Sequence, residues 1–254
     1  MSEPRPATLI TGASAGLGAL FARECAARGD EVILVARRRD RLEALAAELG
    51  GKAHVLAADL AAPGAGEALF VEAERRGLFV ETLINNAGFG LAGRFAALPA
   101  DGQLEMIDLN VRLLTQLCRL ALPPMIARRR GFILNVASTA AFQAGPNMAV
   151  YYATKAFVLS LTEALHQEAK GSGVHVTALC PGPTATEFFD VAGAGGGRLA
   201  KIAVEPLGVV RAGLAGLARN RAIVVPGAAN KVGAQASRFL PRAAMRRIIA
   251  RIKA

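Results

Sequence analysis

Tyr151 and Lys155 stand four residues apart in a segment of helical periodicity, residues 151–170. This spacing puts the phenol and the ammonium on the same face of a helix. A phenol with a pKa of about 10 is a poor acid or base at neutral pH, but a neighbouring ammonium stabilises the phenolate and lowers that pKa. The pair is therefore suited to proton transfer at an oxygen atom, although by itself it is more often structural. Tyr152 is the weaker candidate because it lies three residues from Lys155.

Ser138 follows the fifth apolar run of the chain and precedes Tyr151 by 13 residues. Open α/β sheets bind ligands at the carboxyl ends of their strands, where a serine hydroxyl can hydrogen bond a carbonyl oxygen. Taken alone, a serine at a strand end is usually a cap or a turn residue.

A glycine-rich turn, residues 11–18, lies between the first apolar run and the first helical segment. Unpaired N–H groups and the positive end of the helix dipole face an anion at such a turn, and small residues let the backbone approach a pyrophosphate. The spacing Gly-x-x-x-Gly-x-Gly differs from the dinucleotide fingerprint Gly-x-Gly-x-x-Gly. From this segment alone, a purely structural turn remains open.

The end of the second predicted strand carries arginines where a site for a ribose 2′-hydroxyl would carry a carboxylate. Arg37, Arg38 and Arg39 stand there. Guanidinium groups bind phosphate through charge-assisted hydrogen bonds, so we expect NADP(H), with its 2′-phosphate held first by Arg37 and second by Arg38. The alternative is a solvated first helical turn, in which the arginines pair with Asp40 and Glu43.

The elements that must position these residues alternate along the chain as short apolar runs and segments of helical period. This pattern predicts an α/β fold, a Rossmann-like doubly wound parallel sheet of about seven strands with helices on both faces, in one domain over residues 1–254. The longest helix contains Pro123 and Pro124, and we expect a kink or break there. The predicted strands are Ala7–Thr11, Glu31–Ala36, Ala53–Ala58, Thr82–Asn85, Gly131–Ala137, Val174–Leu179 and Ala222–Val225. The predicted helices are Leu17–Arg28, Asp40–Leu49, Gly66–Arg76, Gly102–Arg128, Tyr151–Lys170 and Pro206–Arg219.

Composition excludes several classes of protein. With 53% hydrophobic residues in 254, the chain has material for a large core and is not dominated by disorder. Three separated cysteines support neither a disulfide framework nor a zinc site, and the three histidines lack ligand spacing, so no metal is expected. The polar N-terminus lacks a secretory pattern, and we therefore expect a cytoplasmic protein.

The net charge of +10 comes from the last quarter of the chain. Residues 191–254 hold 12 basic residues and one acidic residue, whereas the first 190 residues are nearly balanced. Residues 231–254 are a basic extension, and a short amphipathic helix is predicted after Pro241. Either its apolar stripe packs on the protein or another subunit, or residues 239–254 lie on an anionic membrane surface. Nucleic-acid binding is not expected, because no aromatic residues interleave with the charges. The stripe consists of Met245, Ile248, Ile249 and Ile252.

Together these features resemble the short-chain dehydrogenase/reductase superfamily over about residues 7–230, in the same order. The glycine-rich turn matches the family motif with Leu17 where isoleucine is more usual, and residues 85–88 match its Asn-Asn-Ala-Gly motif. The resemblance implies the catalytic residues Asn110, Ser138, Tyr151 and Lys155. The implied cofactor contacts are Gly12, Ser14, Ala15, Gly16, Leu17, Gly18, Arg37, Arg38, Asp59, Leu60, Asn86, Ala87, Gly88, Tyr151, Lys155, Pro181, Gly182, Thr184 and Thr186.

The resemblance also implies a reaction, hydride transfer between NADP(H) and a ketone or aldehyde and its alcohol. Tyr151 would be the general acid in reduction and the base in oxidation, while Ser138 would orient the substrate oxygen. Lys155 would hold the nicotinamide ribose and lower the Tyr151 pKa, and Asn110 would hold a water that links Lys155 to solvent. Family members are homodimers or homotetramers, often packed through the helices that contain Asn110 and Tyr151.

The substrate would be set by three loops, residues 89–98, 139–150 and 188–204. These loops are apolar, so an apolar substrate is expected, and residues 188–204 would form a lid that includes a glycine-rich mobile loop, 190–197. The alternative function is a non-catalytic NADP(H)-sensing or scaffold protein that binds partners or a membrane through the basic extension. The phenylalanines of the loops are Phe89, Phe95, Phe142, Phe188 and Phe189.

Overall fold

A seven-stranded parallel sheet forms the centre of the protein and confirms the predicted α/β fold. The computed structural model describes residues 3–188, 192–193 and 203–252, without the side chains of residues 237, 238, 251 and 252. The strands are β1 Arg5–Thr11, β2 Glu31–Ala36, β3 Ala53–Ala57, β4 Leu78–Asn85, β5 Gly131–Val136, β6 Val174–Leu179 and β7 Ile223–Val224. Their order in the sheet is β3-β2-β1-β4-β5-β6-β7, and each neighbouring pair is parallel.

The strands read as short apolar runs because helices cover both faces of the sheet. On one face, α3, α5 and α6 pack on a core that includes Leu9, Leu83 and Ile133. On the other face, α1, α2 and α7 pack on Ile10 and Leu34. The helices are α1 Gly16–Ala27, α2 Arg39–Leu49, α3 Ala65–Arg75, α4 Ala100–Ile107, α5 Leu114–Ala127, α6 Ala149–Glu168, α7 Pro206–Ala218, α8 Ala228–Phe239 and α9 Arg242–Ile252.

The long helix predicted over residues 102–128 is interrupted at a different place from the one expected. A π-helical segment, Asp108–Leu113, separates α4 from α5, whereas α5 continues through Pro123 and Pro124. The prolines lie near the end of α5, and the carbonyl groups that lose their intrahelical donors belong to residues 119 and 120, of which the first is exposed and the second partly exposed. Water can therefore satisfy these carbonyl groups, and the helix continues past the prolines. The predicted break at this position is wrong.

The C-terminal part holds one helix more than the sequence predicted. The amphipathic helix after Pro241 is confirmed as α9, but α8 before it was not predicted. The lid and mobile loop predicted within residues 188–204 lie mostly outside the described residues. No helix in the described ranges has the length and apolar character needed to span a membrane.

A buried chain of polar side chains ties the ends of β4 and β5 to α6. The Asn85 amide donates to Oδ1 of Asn135 at 2.8 Å, and the Asn135 amide donates to Oγ1 of Thr162 at 3.0 Å. Thr162 in turn donates to the carbonyl of Val158, one turn earlier in α6. Because these groups are shielded from water, each lost partner leaves an unsatisfied polar atom.

Thr162 and Thr177 offer a matched test of this network, because both are fully buried and valine has nearly the same shape. Thr162→Val removes the acceptor of the Asn135 amide and is expected to lower the free energy of unfolding by about 1–3 kcal/mol. Thr177→Val is expected to be neutral or stabilising, because Oγ1 of Thr177 has no hydrogen-bond partner among the described atoms. Urea unfolding of both variants checks this, and equal losses of stability would contradict it.

Candidate active site

Thr11 and Asn86 tie the glycine-rich turn to the end of β4. Oγ1 of Thr11 accepts hydrogen bonds of 3.0 Å from the backbone N–H groups of Asn86 and Ala87. The Asn86 amide donates back to the carbonyl of Thr11 at 2.9 Å. The strands β1 and β4 are the neighbours at which the strand order reverses, which is where open α/β sheets form a ligand crevice.

The turn itself leaves a cradle of backbone atoms at the start of α1. Gly12 has a φ of +68°, and a Cβ there would lie 2.9 Å from Nδ2 of Asn86. A Cβ on Gly18 would overlap the carbonyl of Gly12. Ala15, the N-cap of α1, makes no side-chain cap. The N-cap side chain therefore accepts no hydrogen bond from the first N–H groups of α1. A phosphate site requires such free donors.

A cavity of about 400 Å³ extends from this turn to the start of α6. Its walls include most of the predicted site residues, from the glycine-rich turn to three of the four predicted catalytic residues, Ser138, Tyr151 and Lys155. Some predicted residues lie outside these walls, namely Ser14, Gly18, Arg37, Arg38, Asp59, Leu60 and Asn110. The predicted residues on the walls are Gly12, Ala15, Gly16, Leu17, Asn86, Ala87, Gly88, Ser138, Tyr151, Lys155, Pro181, Gly182, Thr184 and Thr186.

Ser138, Tyr151 and Lys155 come together at the wall formed by β5 and α6. Oγ of Ser138 accepts from the N–H of Ala140 at 3.1 Å and so caps a short 3₁₀ turn. Nζ of Lys155 donates to the carbonyl of Val136 at 2.8 Å and lies 5.9 Å from the centre of the Tyr151 ring. One turn of helix thus presents both side chains beside the serine, as the spacing predicted.

Burial controls the protonation of the pair. It raises the pKa of Tyr151 to about 12, opposed by a hydrogen bond with the Ser138 side chain. Burial also lowers the pKa of Lys155 to about 8. The predicted lowering of the Tyr151 pKa is therefore reversed in the structure, because the loss of hydration disfavours the phenolate. At neutral pH the phenol keeps its proton.

Asn110 lies in the π-helical segment and holds the loop after β4. Its Nδ2 donates to the carbonyl of Phe89 at 3.0 Å and to Oγ1 of Thr154 at 3.1 Å, and its Oδ1 accepts from the N–H of Phe89 at 3.2 Å. A Cβ on Gly88 would lie 2.7 Å from Oδ1 of Asn110. Asn110 therefore positions a wall of the cavity, and its role in holding a water stays a prediction.

Comparison with known proteins agrees with this geometry. A family model described as short chain dehydrogenase matches residues 6–194, which is well over half of the 254 residues. The chain belongs to the short-chain dehydrogenase family. A short-chain dehydrogenase from Sphingobium yanoikuyae in complex with NADPH has a TM-score of 0.82 and 36% identity, and the match covers 92% of this chain and 94% of that one.

Two sequence relatives are each similar to this chain over 72% of its length. A very-long-chain 3-oxoacyl-CoA reductase from Bos taurus is 32% identical over 189 residues, which is 72% of this chain and 61% of the relative. An NADP-dependent 3-hydroxy acid dehydrogenase from Salmonella typhi is 38% identical over 188 residues, or 72% and 75% of the two chains. The chain thus spans about three-fifths of the length of the bovine relative.

The two arginines after β2 in this short-chain dehydrogenase point to different partners. Nε and Nη2 of Arg38 donate to Oγ of Ser14 at 3.2 and 3.1 Å, which brings Arg38 to the glycine-rich turn. Nη1 of Arg37 instead lies 3.6 Å from a carboxylate oxygen of Glu105. As the ligand of a 2′-phosphate beside the turn, Arg38 is therefore favoured over Arg37 by these contacts. This is the reverse of the order expected. Asp59 accepts from the N–H of Ala61 and caps the turn after β3.

The far end of the cavity is apolar, but only some of the expected phenylalanines contribute. Phe89 and Phe188 line it, whereas Phe95 is 65% exposed and Phe142 packs on the core of one sheet face. Phe189 lies outside the described residues. Met148, from the predicted loop 139–150, lines the same wall, whereas Ile249 was not predicted as part of the site.

Ile249 reaches the cavity from α9, more than 90 residues after Tyr151. It packs on a buried cluster that includes Met148, Tyr151 and Tyr152, and Met245 of the same helix is buried. At least this part of the predicted apolar stripe therefore packs on the protein. The helical period indicated an apolar face, and the sequence held no signal for the surface that it covers.

The buried ammonium of Lys155 is expected to cost stability, because its pKa falls from an ordinary 10.5 to about 8 on folding. This cost is fully present below pH 8 and disappears as the pH rises to 10.5, the pKa of the lysine in the unfolded chain. Between these two pH values the unfolded chain binds more protons than the folded chain, so stability rises with pH. Lys155→Met is thus expected to gain stability over the wild type at pH 7, with about 2 kcal/mol of that gain lost by pH 9.5. Urea unfolding at both pH values checks this, and a gain that is independent of pH would contradict it.

Proposed function

We propose that this chain is an NADP(H)-dependent oxidoreductase that interconverts a ketone or aldehyde and its alcohol. The observation that carries the proposal is the convergence of Ser138, Tyr151 and Lys155 on one cavity, whose other end is the backbone cradle of the glycine-rich turn. When bound, the nicotinamide cofactor would supply the hydride for reduction and accept it in oxidation. The residues of the chain orient the two reactants and move the proton.

Tyr151 acts as the acid in reduction because its phenol keeps the proton at neutral pH. It gives that proton to the carbonyl oxygen, which the Ser138 hydroxyl orients through a hydrogen bond. Lys155 uses one of its donors on the carbonyl of Val136 and keeps the others for the ribose hydroxyls of the cofactor. In the reverse direction Tyr151 is the base, and its raised pKa makes oxidation depend on high pH more strongly than reduction does.

NADP(H) is the proposed cofactor because Arg38 and Ser14 form a joined phosphate-binding pair beside the glycine-rich turn. A guanidinium and a hydroxyl both donate to phosphate oxygens. The Sphingobium yanoikuyae relative in complex with NADPH and the NADP-dependent Salmonella typhi relative support this choice.

An apolar substrate is proposed from the walls beyond Tyr151. Phe89, Met148, Phe188 and Ile249 offer hydrocarbon and aromatic surface and no charge. An apolar chain or ring is stabilised there by its removal from water. The bovine relative is a very-long-chain 3-oxoacyl-CoA reductase, and the very long acyl chain in that name is consistent with an apolar substrate.

Tyr151→Phe is expected to lower kcat at least about 100-fold for reduction of an apolar ketone by NADPH, because the proton donor is lost. Tyr152→Phe is the matched control, since this phenol lies next in the chain and lines the same cavity. The control is expected to keep kcat within about threefold. Initial rates over a panel of apolar ketones and aldehydes measure both variants.

Equal effects of the two substitutions would contradict the role of Tyr151. Tight NADPH binding without turnover of any carbonyl in the panel would instead favour the alternative of a cofactor-sensing protein. Binding of NADH as tight as that of NADPH would remove the assignment of Arg38 and Ser14 to a 2′-phosphate.

We also propose a homodimer or homotetramer packed through α4, α5 and α6. Exposed apolar side chains on these helices support it, with Ile107, Ile126 and Phe157 each about two-fifths exposed. Burial of such side chains between subunits is favourable. Light scattering is expected to give a dimer or tetramer mass that Phe157→Asp reduces, while Val232→Asp on α8 leaves it unchanged. A monomeric wild type contradicts this proposal.

Peripheral contact with an anionic membrane is proposed for residues 239–254, and a cytoplasmic location stays a prediction. Phe239 is 84% exposed and Leu240 is 41% exposed, beside the exposed cations Arg242, Arg246 and Arg247. No acidic residue follows Glu205 in the sequence. Exposed aromatic surface surrounded by basic side chains suits the interface of an anionic bilayer.

Phe239→Ala is expected to weaken co-sedimentation with phosphatidylserine vesicles at least about threefold, because it removes apolar surface that enters the interface. Phe95→Ala, at an exposed phenylalanine between β4 and α4, is the control and is expected to have no effect. Equal binding to neutral phosphatidylcholine vesicles, or equal loss in the two variants, would contradict the proposal.

A further inference from the structure

Glu187 joins two arginines that lie far from it in the sequence. Its carboxylate accepts a hydrogen bond of 3.0 Å from Nη1 of Arg38 and one of 2.6 Å from Nη1 of Arg41. Arg38 is the residue that also donates to Oγ of Ser14. One guanidinium therefore connects the glycine-rich turn to the segment after β6.

The carboxylate of Glu187 is ionised at neutral pH. Hydrogen bonds from Arg41 and then Arg38 hold the pKa of that carboxyl below its usual range. All three side chains are nearly half exposed, so the ion pairs are weak and exchange readily. A stronger anion that reached Arg38 would replace the carboxylate.

A 2′-phosphate is such an anion, because it carries more charge than a carboxylate and binds a guanidinium in the same way. Without displacement, two anions would stand within a few ångströms of each other and repel. We propose that Glu187 competes with the 2′-phosphate of the cofactor for Arg38, and so sets the preference between nucleotides with and without that phosphate. The proposal rests on the NADP(H) assignment made above.

The same competition links the phosphate end of the cavity to its substrate end. Thr186, which precedes Glu187, packs closely on the turn. A Cβ added to Gly16 would lie 3.3 Å from the Cβ of Thr186. Phe188, which follows, lines the cavity with its ring centre 5.2 Å from that of Tyr151. We therefore expect displacement of the Glu187 carboxylate to shift Phe188 against the Tyr151 ring.

The test compares two nucleotides that differ only in the 2′-phosphate, adenosine 2′,5′-bisphosphate and adenosine 5′-monophosphate, by calorimetric titration. Glu187→Gln is expected to tighten binding of the bisphosphate about three- to tenfold, because a competing charge is removed. It is expected to change binding of the monophosphate less than about twofold, and the difference is expected to shrink at high salt.

Glu43→Gln on α2 is the matched control. It removes the same charge from a carboxylate that pairs with Arg39 at 3.4 Å, and it leaves the partners of Arg38 unchanged. Less than about a twofold change for either nucleotide is expected. A gain in Glu187→Gln no larger than in Glu43→Gln, or an equal gain for both nucleotides, overturns the proposal.

Arg38→Ala separates failure of this proposal from failure of the cofactor assignment. If Arg38→Ala weakens only bisphosphate binding while Glu187→Gln has no effect, NADP(H) stands and the role of Glu187 is wrong. If the wild type binds both nucleotides equally and Arg38→Ala changes neither, the NADP(H) assignment fails, and the proposal fails with it.

Tyrosine fluorescence tests the link to the substrate end. The chain has two tyrosines and no tryptophan, and both tyrosines line the cavity. Neither nucleotide carries a nicotinamide, so neither extends to these rings. Saturation with the bisphosphate is expected to change the emission of the wild type but not of Glu187→Gln, and the monophosphate is expected to change neither. Unchanged emission in the wild type overturns the link.

Discussion

The hydrogen bonds between Thr11 and Asn86 are the constraint on which the site depends. They fix the end of β1 against the end of β4, where the strand order of the sheet reverses. The glycine-rich turn can then pack its backbone on Asn86 without side chains between them, which is why Gly12 and Gly18 have no room for a Cβ. A crevice lined by the N-terminus of α1 follows from this one close approach.

Burial is the second physical determinant, and it acts on the chemistry directly. The same apolar surroundings that pack Tyr151 hold its proton in place and weaken the proton affinity of Lys155. Both shifts disfavour the charged forms, so the pair prefers a neutral phenol. This preference suits proton donation, and it makes the site a region that folds at a cost in free energy.

The segment after β6 connects the parts that the sheet itself keeps apart. Thr186 contacts the glycine-rich turn, Glu187 contacts α2, and Phe188 contacts Tyr151. Ile249 of α9 lines the same cavity. The walls of the cavity therefore depend on chain that lies outside the strands, as in other α/β folds whose loops carry the binding residues.

Local pattern alone determined much of this protein. The bounds of β2 and β6 were predicted to the residue, because buried parallel strands are rich in apolar and β-branched residues. The shared helix face of Tyr151 and Lys155 followed from the helical period. Only the tertiary structure decided that Arg38 reaches Ser14, that Glu187 joins Arg38 and Arg41, and that Ile249 covers the cavity. The physical reason is that period and propensity act over a few neighbouring residues, whereas these contacts join side chains up to 149 positions apart that meet through packing of the whole sheet.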